Sequence, residues 1–294
     1  MQEVNALSNS NTKEKEYKKF INFGKIYLAQ PSITTNETNF IDCIKQDIQS
    51  KFCNDSKYII DKTFDYKQER LVDKAEKLVF TKLTSSNSHF FGTFSKVSNT
   101  KDVLTDIVDN VSNKKIDPDT IYFEHNTLFY IDFEKSAISF IKTNRIKNVY
   151  PFLESFLNSN NFINLKIAPF IKTEDEIVNS IITHLDVAIS NPVNTQTEFV
   201  ELKNLEKMGC SIRDYKINLS IQKTTDTFPK KLLSFCSKNK QNIKKISIST
   251  LDEDIDLITN TFTKSVPIKL NNNYENDYNV IEHTLKAELF KAIQ

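Results

Sequence analysis

A Glu-x-Lys triplet, Glu201–Leu202–Lys203, is the pattern in this chain that points most directly to chemistry. Metal-dependent nucleases hold a divalent cation with a glutamate and an upstream acidic residue, and a lysine polarises the attacking water. The upstream acid here would be Asp186 or Glu198, and neither lies in a convincing hairpin. Since the chain has 39 Lys+Arg and 38 Asp+Glu residues, such triplets also arise by chance on exposed strands.

Two acidic clusters are further candidates, because carboxylate oxygens are the ligands that hard cations prefer. Asp132–Phe133–Glu134 lies in a predicted turn between strands. The cluster Asp252, Glu253, Asp254 and Asp256 lacks the glycine and the twelfth-position glutamate of an EF-hand loop. We therefore interpret both clusters as solvated turns, and no metal site is predicted.

The histidines and cysteines show no spacing typical of a metal or redox site. The histidines are His89, His125, His184 and His283. The cysteines are Cys43, Cys53, Cys210 and Cys236. Without CxxC spacing, the cysteines are predicted to be buried free thiols, as in a reducing cytosol. A cysteine–histidine catalytic pair would depend on the fold alone, because triads form in space rather than in sequence.

Glycine is scarce, and its scarcity excludes several enzyme classes. The three glycines, Gly24, Gly92 and Gly209, are far apart. A Walker loop, a dinucleotide-binding fingerprint and a GxSxG nucleophile elbow each need closely spaced glycines. We therefore expect a protein that is not an enzyme, with no cofactor and no small-molecule substrate.

The composition predicts a globular, cytoplasmic protein. With 39% hydrophobic and 26% charged residues, the chain can bury a core. The N-terminal sequence MQEVNALSNSNTKEKEYKKF lacks the apolar region of a signal peptide. No apolar run reaches the roughly 20 residues that span a bilayer.

Strands and helices are interspersed, many strands are joined as hairpins, and few segments form a clean βαβ unit. This pattern predicts an α+β fold with mixed or antiparallel sheets and two subdomains. The predicted layout is a frayed tail at 1–18, an N-terminal α+β domain at 19–160 and a C-terminal α+β domain at 161–294. Helices are predicted at 40–52, 101–111, 145–160, 174–190, 227–240 and 276–293, and strands at 20–30, 57–66, 77–97, 119–144, 162–172, 199–207, 214–222 and 244–250.

The net charge is only +1, but the charges are unevenly distributed. A basic segment, 216–250, contains eight lysines and one acidic residue, Asp226, whereas 251–294 contains four lysines and eight acidic residues. The eight lysines are Lys216, Lys223, Lys230, Lys231, Lys238, Lys240, Lys244 and Lys245. A lysine array neutralises phosphates without reading bases, so the segment predicts nucleic-acid binding through the backbone. Lysines that protect a strand edge against pairing are the alternative interpretation.

The run FVELKNLEKMGCSIRDYKINLSIQKTTDTFPKKLLSF resembles the corresponding part of the RexA-type phage-exclusion proteins. Both have a short strand with a VE-x-K-like core, a corner of small residues, an alternating strand followed by a lysine, and a basic helix. Upstream, HFFGTFSKV, DVLTDIVDNV and YPFLESFL follow the same succession, and EHTLKAELFKAI is similar to that family's last helix. The resemblance covers the chain from about residue 58 to its end, at low identity.

The resemblance implies a cytosolic sensor of phage infection that acts as a homodimer. Such a protein binds double-stranded DNA or a phage nucleoprotein complex and signals to a membrane effector protein. The DNA contacts that it implies, by position, are Lys223, Lys230, Lys231, Lys238, Lys244 and Lys245. Two alternatives stay open: a metal-dependent defence nuclease that uses Glu201 and Lys203, and a protein-interaction module that binds no nucleic acid.

Overall fold

The structure is a computed structural model, and it describes residues 15–29, 37–65, 70–99, 107–108, 115–116, 122–143, 146, 148–158, 164–190, 214–225, 227–270 and 274–294. Its helices are α1 (Glu37–Lys51), α2 (Tyr150–Leu157), α3 (Glu174–Val178), α4 (Phe228–Asn239) and α5 (Tyr274–Ile293). Its strands are β1 (Lys15–Leu28), β2 (Lys57–Asp65), β3 (Arg70–Ser85), β4 (His89–Asn99), β5 (Ile107–Val108), β6 (Lys115–Ile116), β7 (Tyr122–Asp132), β8 (Ala137–Ile141), β9 (Leu165–Pro169), β10 (His184–Ser190), β11 (Asp214–Ser220), β12 (Ile243–Ser249), β13 (Glu253–Asp256) and β14 (Phe262–Leu270).

Helices and strands are interspersed along the chain, and the strands pair antiparallel. This holds for the series β2–β3–β4–β7–β8 and for the series β11–β10–β12–β13–β14. The predicted α+β fold class is confirmed.

The chain forms two compact units. Unit 1 comprises Met1–Lys19, Ile26–Ile167 and Val266–Gln294, and unit 2 comprises Phe20–Lys25 and Ala168–Ser265. Strands β1, β9 and β14 contribute residues to both units.

This division differs from the predicted domains 19–160 and 161–294, because α5 belongs to unit 1. Leu285 and Leu289 of α5 are fully buried, and the hydroxyl of Ser139 in β8 donates to the Leu285 carbonyl at 3.0 Å. The sequence has no linker near residue 160, and nothing local in α5 indicates which half of the chain its apolar face covers.

Unit 1 has a core of phenylalanine side chains between its strands and helices α1 and α2. In this unit β1 lies beside β8, the order continues β7–β4–β3–β2, and β9 pairs with β1. The turn at 86–88 joins β3 to β4 as predicted from TSSNS, and the Ser86 amide donates to the His89 carbonyl at 2.9 Å. Phe156 of α2 stacks on Phe80 of β3 with ring centroids 4.4 Å apart. The fully buried phenylalanines of this core are Phe80, Phe90, Phe94, Phe129, Phe140 and Phe156.

A buried lysine joins α1 to α2 within this core. The Lys51 side chain is 0% exposed, forms an ion pair with Asp47 one turn earlier, and donates to the Phe156 carbonyl at 2.6 Å. Its ammonium also lies 4.8 Å from the centre of the Phe156 ring and 5.6 Å from that of Tyr58. Burial lowers the pKa of Lys51 below its usual value of 10.5, and the charge and hydrogen bond of Asp47 partly oppose this change.

Unit 2 is built on the strand order β11–β10–β12–β13–β14. In β10 the side chains of Leu185, Val187 and Ile189 are buried on one face. Directly paired residues share a face, so Ile246 of β12 and Ile217 of β11, both opposite Val187, lie on this face too. Helices α3 and α4 cover it with their apolar side chains, chiefly Ile177, Leu232 and Cys236.

The predicted helix over 174–190 is wrong beyond its first turn. Helix α3 ends at Val178 after a capping box in which Thr173 and Glu176 bond each other's backbone amides, and 184–190 is strand β10. The apolar positions fit both periods, because Leu185 and Ile189 are four residues apart and also alternate with polar residues. Pairing with β11 and β12 makes this segment a strand. Ile181, which would lie on the apolar face of the predicted helix, is 72% exposed.

Two smaller sequence predictions are also wrong. Ile107–Val108, inside the predicted helix 101–111, pairs with Lys115–Ile116 as the β5–β6 ribbon, and the rest of that predicted helix lies outside the described residues. The predicted frayed tail 1–18 overlaps β1, which begins at Lys15.

We expect Ile246→Ala to lower the free energy of unfolding by about 2–5 kcal/mol, because Ile246 is 0% exposed and its removal leaves a cavity under α4. Leu219→Ala is the matched control: Leu219 lies on the same face, opposite Leu185, but is 47% exposed, and a loss of about 1 kcal/mol or less is expected. Urea denaturation measures both. Equal losses would contradict the assignment of this face to the core.

We expect Lys51 to make the stability of the protein rise with pH. Its pKa is lower in the folded state than in the unfolded state, so the unfolded chain binds more protons between the lowered pKa and about 10.5. Within that window the free energy of unfolding increases as pH rises, and Lys51→Met should lack this increase. Burial raises the pKa of Tyr130 and Tyr150 in both proteins, so the difference between the two proteins isolates Lys51.

The measurement is urea denaturation of the wild type and of Lys51→Met at a series of pH values from 8 to about 10. Parallel pH profiles for the two proteins would contradict the buried, pKa-lowered lysine.

Candidate nucleic-acid interface

The eight lysines of the basic segment are all exposed, but unit 2 distributes them over several elements. Helix α4 carries Lys230, Lys231 and Lys238, and Lys240 follows it in the turn. Strand β11 carries Lys216, the loop after it carries Lys223, and β12 carries Lys244 and Lys245.

Helix α4 has one apolar face and one face of lysines and serines. Pro229, Leu232 and Cys236 are buried at helical spacing, and Pro229 in the first turn suits a helix start because its missing amide would have no partner there. Thr227 precedes the helix as predicted, but its side chain makes no capping hydrogen bond. We call the opposite side the basic helix face, and its exposed residues are Lys230, Lys231, Ser234, Ser237 and Lys238.

The basic helix face is not neutralised by the acidic residues that the structure describes. None of them lies within 4 Å of the ammonium groups of Lys230, Lys231 or Lys238. Helix α4 itself contains no acidic residue. Lys238 follows Lys230 by eight positions, which corresponds to about 12 Å along the axis.

The sheet of unit 2 has a polar face on the side away from α4. Lys216 of β11 and Lys245 of β12 both pair with Ala188 of β10, so the two lysines flank this small residue. Next to them Asp186 accepts a hydrogen bond from Asn218 at 2.6 Å and lies 3.8 Å from Lys245. Because alternate residues of a strand face opposite ways, Lys216 and Lys245 lie on the other side of the sheet from the basic helix face.

A β-bulge interrupts the pairing of β12 with β10 at the consecutive lysines Lys244 and Lys245. Ile189 pairs with Ile243 and Ala188 pairs with Lys245, which leaves Lys244 as the extra residue. Both lysines are exposed between the buried Ile243 and Ile246.

The six DNA contacts implied by the sequence therefore do not form one surface. Lys223 and Lys230 line the same cleft, and Lys231 and Lys238 continue from Lys230 along α4. Lys244 lies in the bulge, and Lys245 lies on the polar sheet face. The strand that follows α4 brings the chain to the other side of the sheet.

The nuclease alternative is not addressed by the described residues. Glu201, Lys203 and Glu198 lie outside them. Asp186, the other candidate for the upstream acid, is engaged by Asn218 and lies near Lys245. Within the described part of the chain, no group of three or more His, Cys, Asp or Glu side chains is placed to hold a metal ion.

The first acidic cluster has a structural role in a turn. As predicted, Asp132 and Glu134 lie where β7 turns into β8. Asp132 is only 5% exposed, however, so it is not a solvated side chain, and its carboxylate accepts the Lys135 amide at 2.9 Å.

The second acidic cluster is a strand rather than a turn. Glu253–Asp256 forms β13, with Ile255 buried. The carboxylate of Glu253 pairs with Lys172 at 3.2 Å, and that of Asp256 accepts the Ile258 amide at 2.8 Å. The interpretation as a solvated turn is wrong for Glu253, Asp254 and Asp256, because β12 and β14 pair with this strand on both sides, whereas Asp252 lies in the bend before β13 with an exposed side chain.

The fold brings a serine, a histidine and a glutamate together in unit 1. His89 Nδ1 lies 2.9 Å from Ser86 Oγ, and His89 Nε2 lies 2.9 Å from Glu282 Oε1 in α5. Ser86 Oγ also accepts the backbone amides of Ser88 at 3.1 Å and His89 at 3.3 Å. These bonds close the β3–β4 turn and join it to α5. The Ser86 hydroxyl oxygen therefore has a structural role in the turn. The sequence gives no signal for this group, because Glu282 is far from the turn along the chain.

Of the cysteines, Cys236 is buried as predicted, and burial raises the pKa of its thiol to about 11. Cys53 is exposed, so the prediction of a buried thiol is wrong there. The side chains of Cys43 and Cys210 lie outside the described residues. A thiol with a raised pKa is a poor nucleophile at neutral pH, so Cys236 is suited to packing rather than catalysis.

In the part of the chain that the structure describes, none of the helices combines the length and apolar character needed to cross a membrane. Comparison with protein-family models gives no match, and comparison with curated protein sequences gives none either. The case for a function therefore depends on the geometry of unit 2.

Proposed function

We propose that this chain is a nucleic-acid-binding protein of the phage-exclusion type, and that it contacts the phosphate backbone of double-stranded DNA through the basic helix face. The observation that carries the proposal is the placement of Lys230, Lys231 and Lys238 on the exposed side of one helix, with Lys223 beside its first turn.

The spacing and type of these residues suit a phosphate backbone. Duplex DNA carries one charge per about 1.7 Å of its axis, so a row of cations about 12 Å long meets several phosphates. Lysine provides a mobile point charge, whereas base reading favours the planar, bidentate guanidinium of arginine. Ser234 and Ser237 on the same face add hydroxyl donors to phosphate oxygens. Binding is therefore largely independent of base sequence.

Lys245 is secondary in this proposal. It lies 3.8 Å from Asp186, whose carboxylate partly neutralises it, and it belongs to the polar sheet face. A rigid duplex that contacts α4 does not reach that face at the same time.

The role in phage exclusion is supported by the resemblance of 199–235 and its neighbouring segments to the RexA-type proteins. In that role the chain acts in the cytoplasm as a homodimeric sensor of DNA or of a phage nucleoprotein complex and signals to a membrane effector protein. The electrostatic contact through α4 supplies the DNA-binding part of this activity.

We expect the triple variant Lys230→Gln, Lys231→Gln, Lys238→Gln to bind a DNA duplex more weakly and with a flatter salt dependence. Each lost phosphate contact reduces the slope of log K against log[salt] by about one, so a reduction of up to about three is expected. The measurement is fluorescence anisotropy of a labelled duplex at several salt concentrations. Charge reversal of Lys230 and Lys231 to Glu should produce a larger loss of affinity.

The matched control replaces three exposed lysines of unit 1, Lys77, Lys142 and Lys286, with glutamine, which removes the same charge. An equal fall in slope for both triple variants would mean that net charge, not the basic helix face, governs binding. Degradation of the duplex on addition of Mg²⁺ or Mn²⁺, lost in Glu201→Ala, would instead support the nuclease alternative with Glu201 and Lys203. Absence of any binding would favour the protein-interaction module.

A further inference from the structure

A cleft with a volume of about 540 Å³ lies in unit 2 where the loop after β11 meets the start of α4. Its size falls in the range of about 300–1,000 Å³ that is typical of small-ligand sites. It is lined by residues from the end of α3 and the loop after it, from the loop after β11 and from the first turn of α4.

The lining combines cations, hydroxyl groups and an apolar surface. Lys223 and Lys230 supply two ammonium groups from two different elements, and both are exposed. Ser180, Thr224 and Thr225 are hydroxyl-bearing residues of the same cleft. The lining residues that the structure describes include no aspartate or glutamate.

The apolar part of the lining is unusual for a site that would bind only an inorganic ion. Ile181 is 72% exposed, and Val178, which is partly exposed, lines the cleft with it. Such side chains provide van der Waals contact for the sugar and base of a nucleotide, whereas a free phosphate ion would leave them in contact with water.

We propose that this cleft binds a nucleoside phosphomonoester, with the phosphate between Lys223 and Lys230 and the nucleoside against Ile181 and Val178. A phosphomonoester carries a charge of about −1.5 to −2 at neutral pH, which two lysines match, whereas an internal phosphodiester carries only one. The group is presented either by the phosphorylated end of a nucleic-acid strand or by a free nucleotide.

A strand end suits the concave shape better than the interior of a duplex does. Internal phosphates lie along the outside of the duplex and fit the convex basic helix face, but a terminal nucleotide can protrude into a cleft. Lys230 belongs to both surfaces, so a strand end in the cleft continues onto Lys231 and Lys238. This form of the inference rests on the proposed nucleic-acid binding; binding of a free nucleotide does not.

The adjacent residues Lys230 and Lys231 provide a matched pair of variants. Both are exposed lysines in the first turns of α4, and only Lys230 lines the cleft. Glutamine has nearly the same helix propensity as lysine, so Lys230→Gln and Lys231→Gln remove equal charge without disturbing the helix. Lys223→Gln, in the loop, tests the second cation independently of α4.

The probes are three oligonucleotides of one sequence, carrying a 5′-phosphate, a 3′-phosphate or no terminal phosphate, together with adenosine monophosphate. Affinities are measured by fluorescence anisotropy for the oligonucleotides and by calorimetry for the nucleotide. The wild-type chain should prefer one phosphorylated end by roughly tenfold, the effect of one charge-assisted hydrogen bond. Lys230→Gln and Lys223→Gln should abolish this preference, whereas Lys231→Gln should weaken binding to all oligonucleotides equally.

A free nucleotide is the ligand of the cleft if adenosine monophosphate binds, Lys230→Gln abolishes this binding and Lys231→Gln retains it. In that case phosphorylated and unphosphorylated oligonucleotides bind equally well. The proposed ligand site would be overturned by a combination of three results: equal affinity for all three oligonucleotides, no nucleotide binding, and identical effects of Lys230→Gln and Lys231→Gln. Backbone binding by α4 would remain. Nucleotide binding with no affinity for any oligonucleotide would overturn the proposed function but not the cleft.

Discussion

The burial of alternate side chains in β10 is the constraint on which unit 2 depends. Leu185, Val187 and Ile189 face helices α3 and α4, so Asp186 and Ala188 necessarily face the other way. A shift of one residue would bury a carboxylate and expose three apolar side chains, which fixes the register. Both neighbouring strands conform to it, since Ile217 and Ile246 lie opposite Val187.

The same constraint distributes the charges of the basic segment. Helix α4 must present Leu232 and Cys236 to the sheet, and this turns Lys230, Lys231 and Lys238 outward. The short turn after α4 returns the chain to the sheet as β12, where Lys245 alternates with Ile246 and lies on the opposite side. One basic stretch of sequence thus becomes a row of cations on α4 and a separate pair of lysines around Ala188.

Several residues whose side chains could take part in chemistry hold the fold together. Lys51 is buried between α1 and α2, Asp132 accepts an amide in a turn, and Glu253 pairs with Lys172. The Ser86–His89–Glu282 group joins a hairpin turn to α5. Charged and nucleophilic side chains with such partners stabilise the structure, whereas the lysines of α4 are exposed and have no acidic partner among the described residues.

Local patterns in the sequence determined much of this protein. The amphipathic spacing in 227–240, the alternation in 214–222 and the polar turn TSSNS each predicted the element that forms, because neighbouring residues decide such structures. The exposure of the lysines also follows from the sequence, since an ammonium is rarely buried without a partner. Lys51 is the exception, because Asp47 lies one helical turn before it and the Phe156 carbonyl is supplied by a distant helix.

Only the tertiary structure decided on which surfaces the lysines of the basic segment lie. The run 174–190 fits a helix and a strand equally well by periodicity, and pairing with β11 and β12, which are distant in sequence, selects the strand. The side on which each lysine lies depends on that pairing. The cleft between Lys223 and Lys230 likewise requires the 178–181 loop, some 40 residues earlier in the chain, to meet the start of α4. The sequence determined that the segment is basic and exposed; long-range pairing of strands determined that its lysines form a row on one helix, a cleft at its start and a separate pair on the opposite side of the sheet.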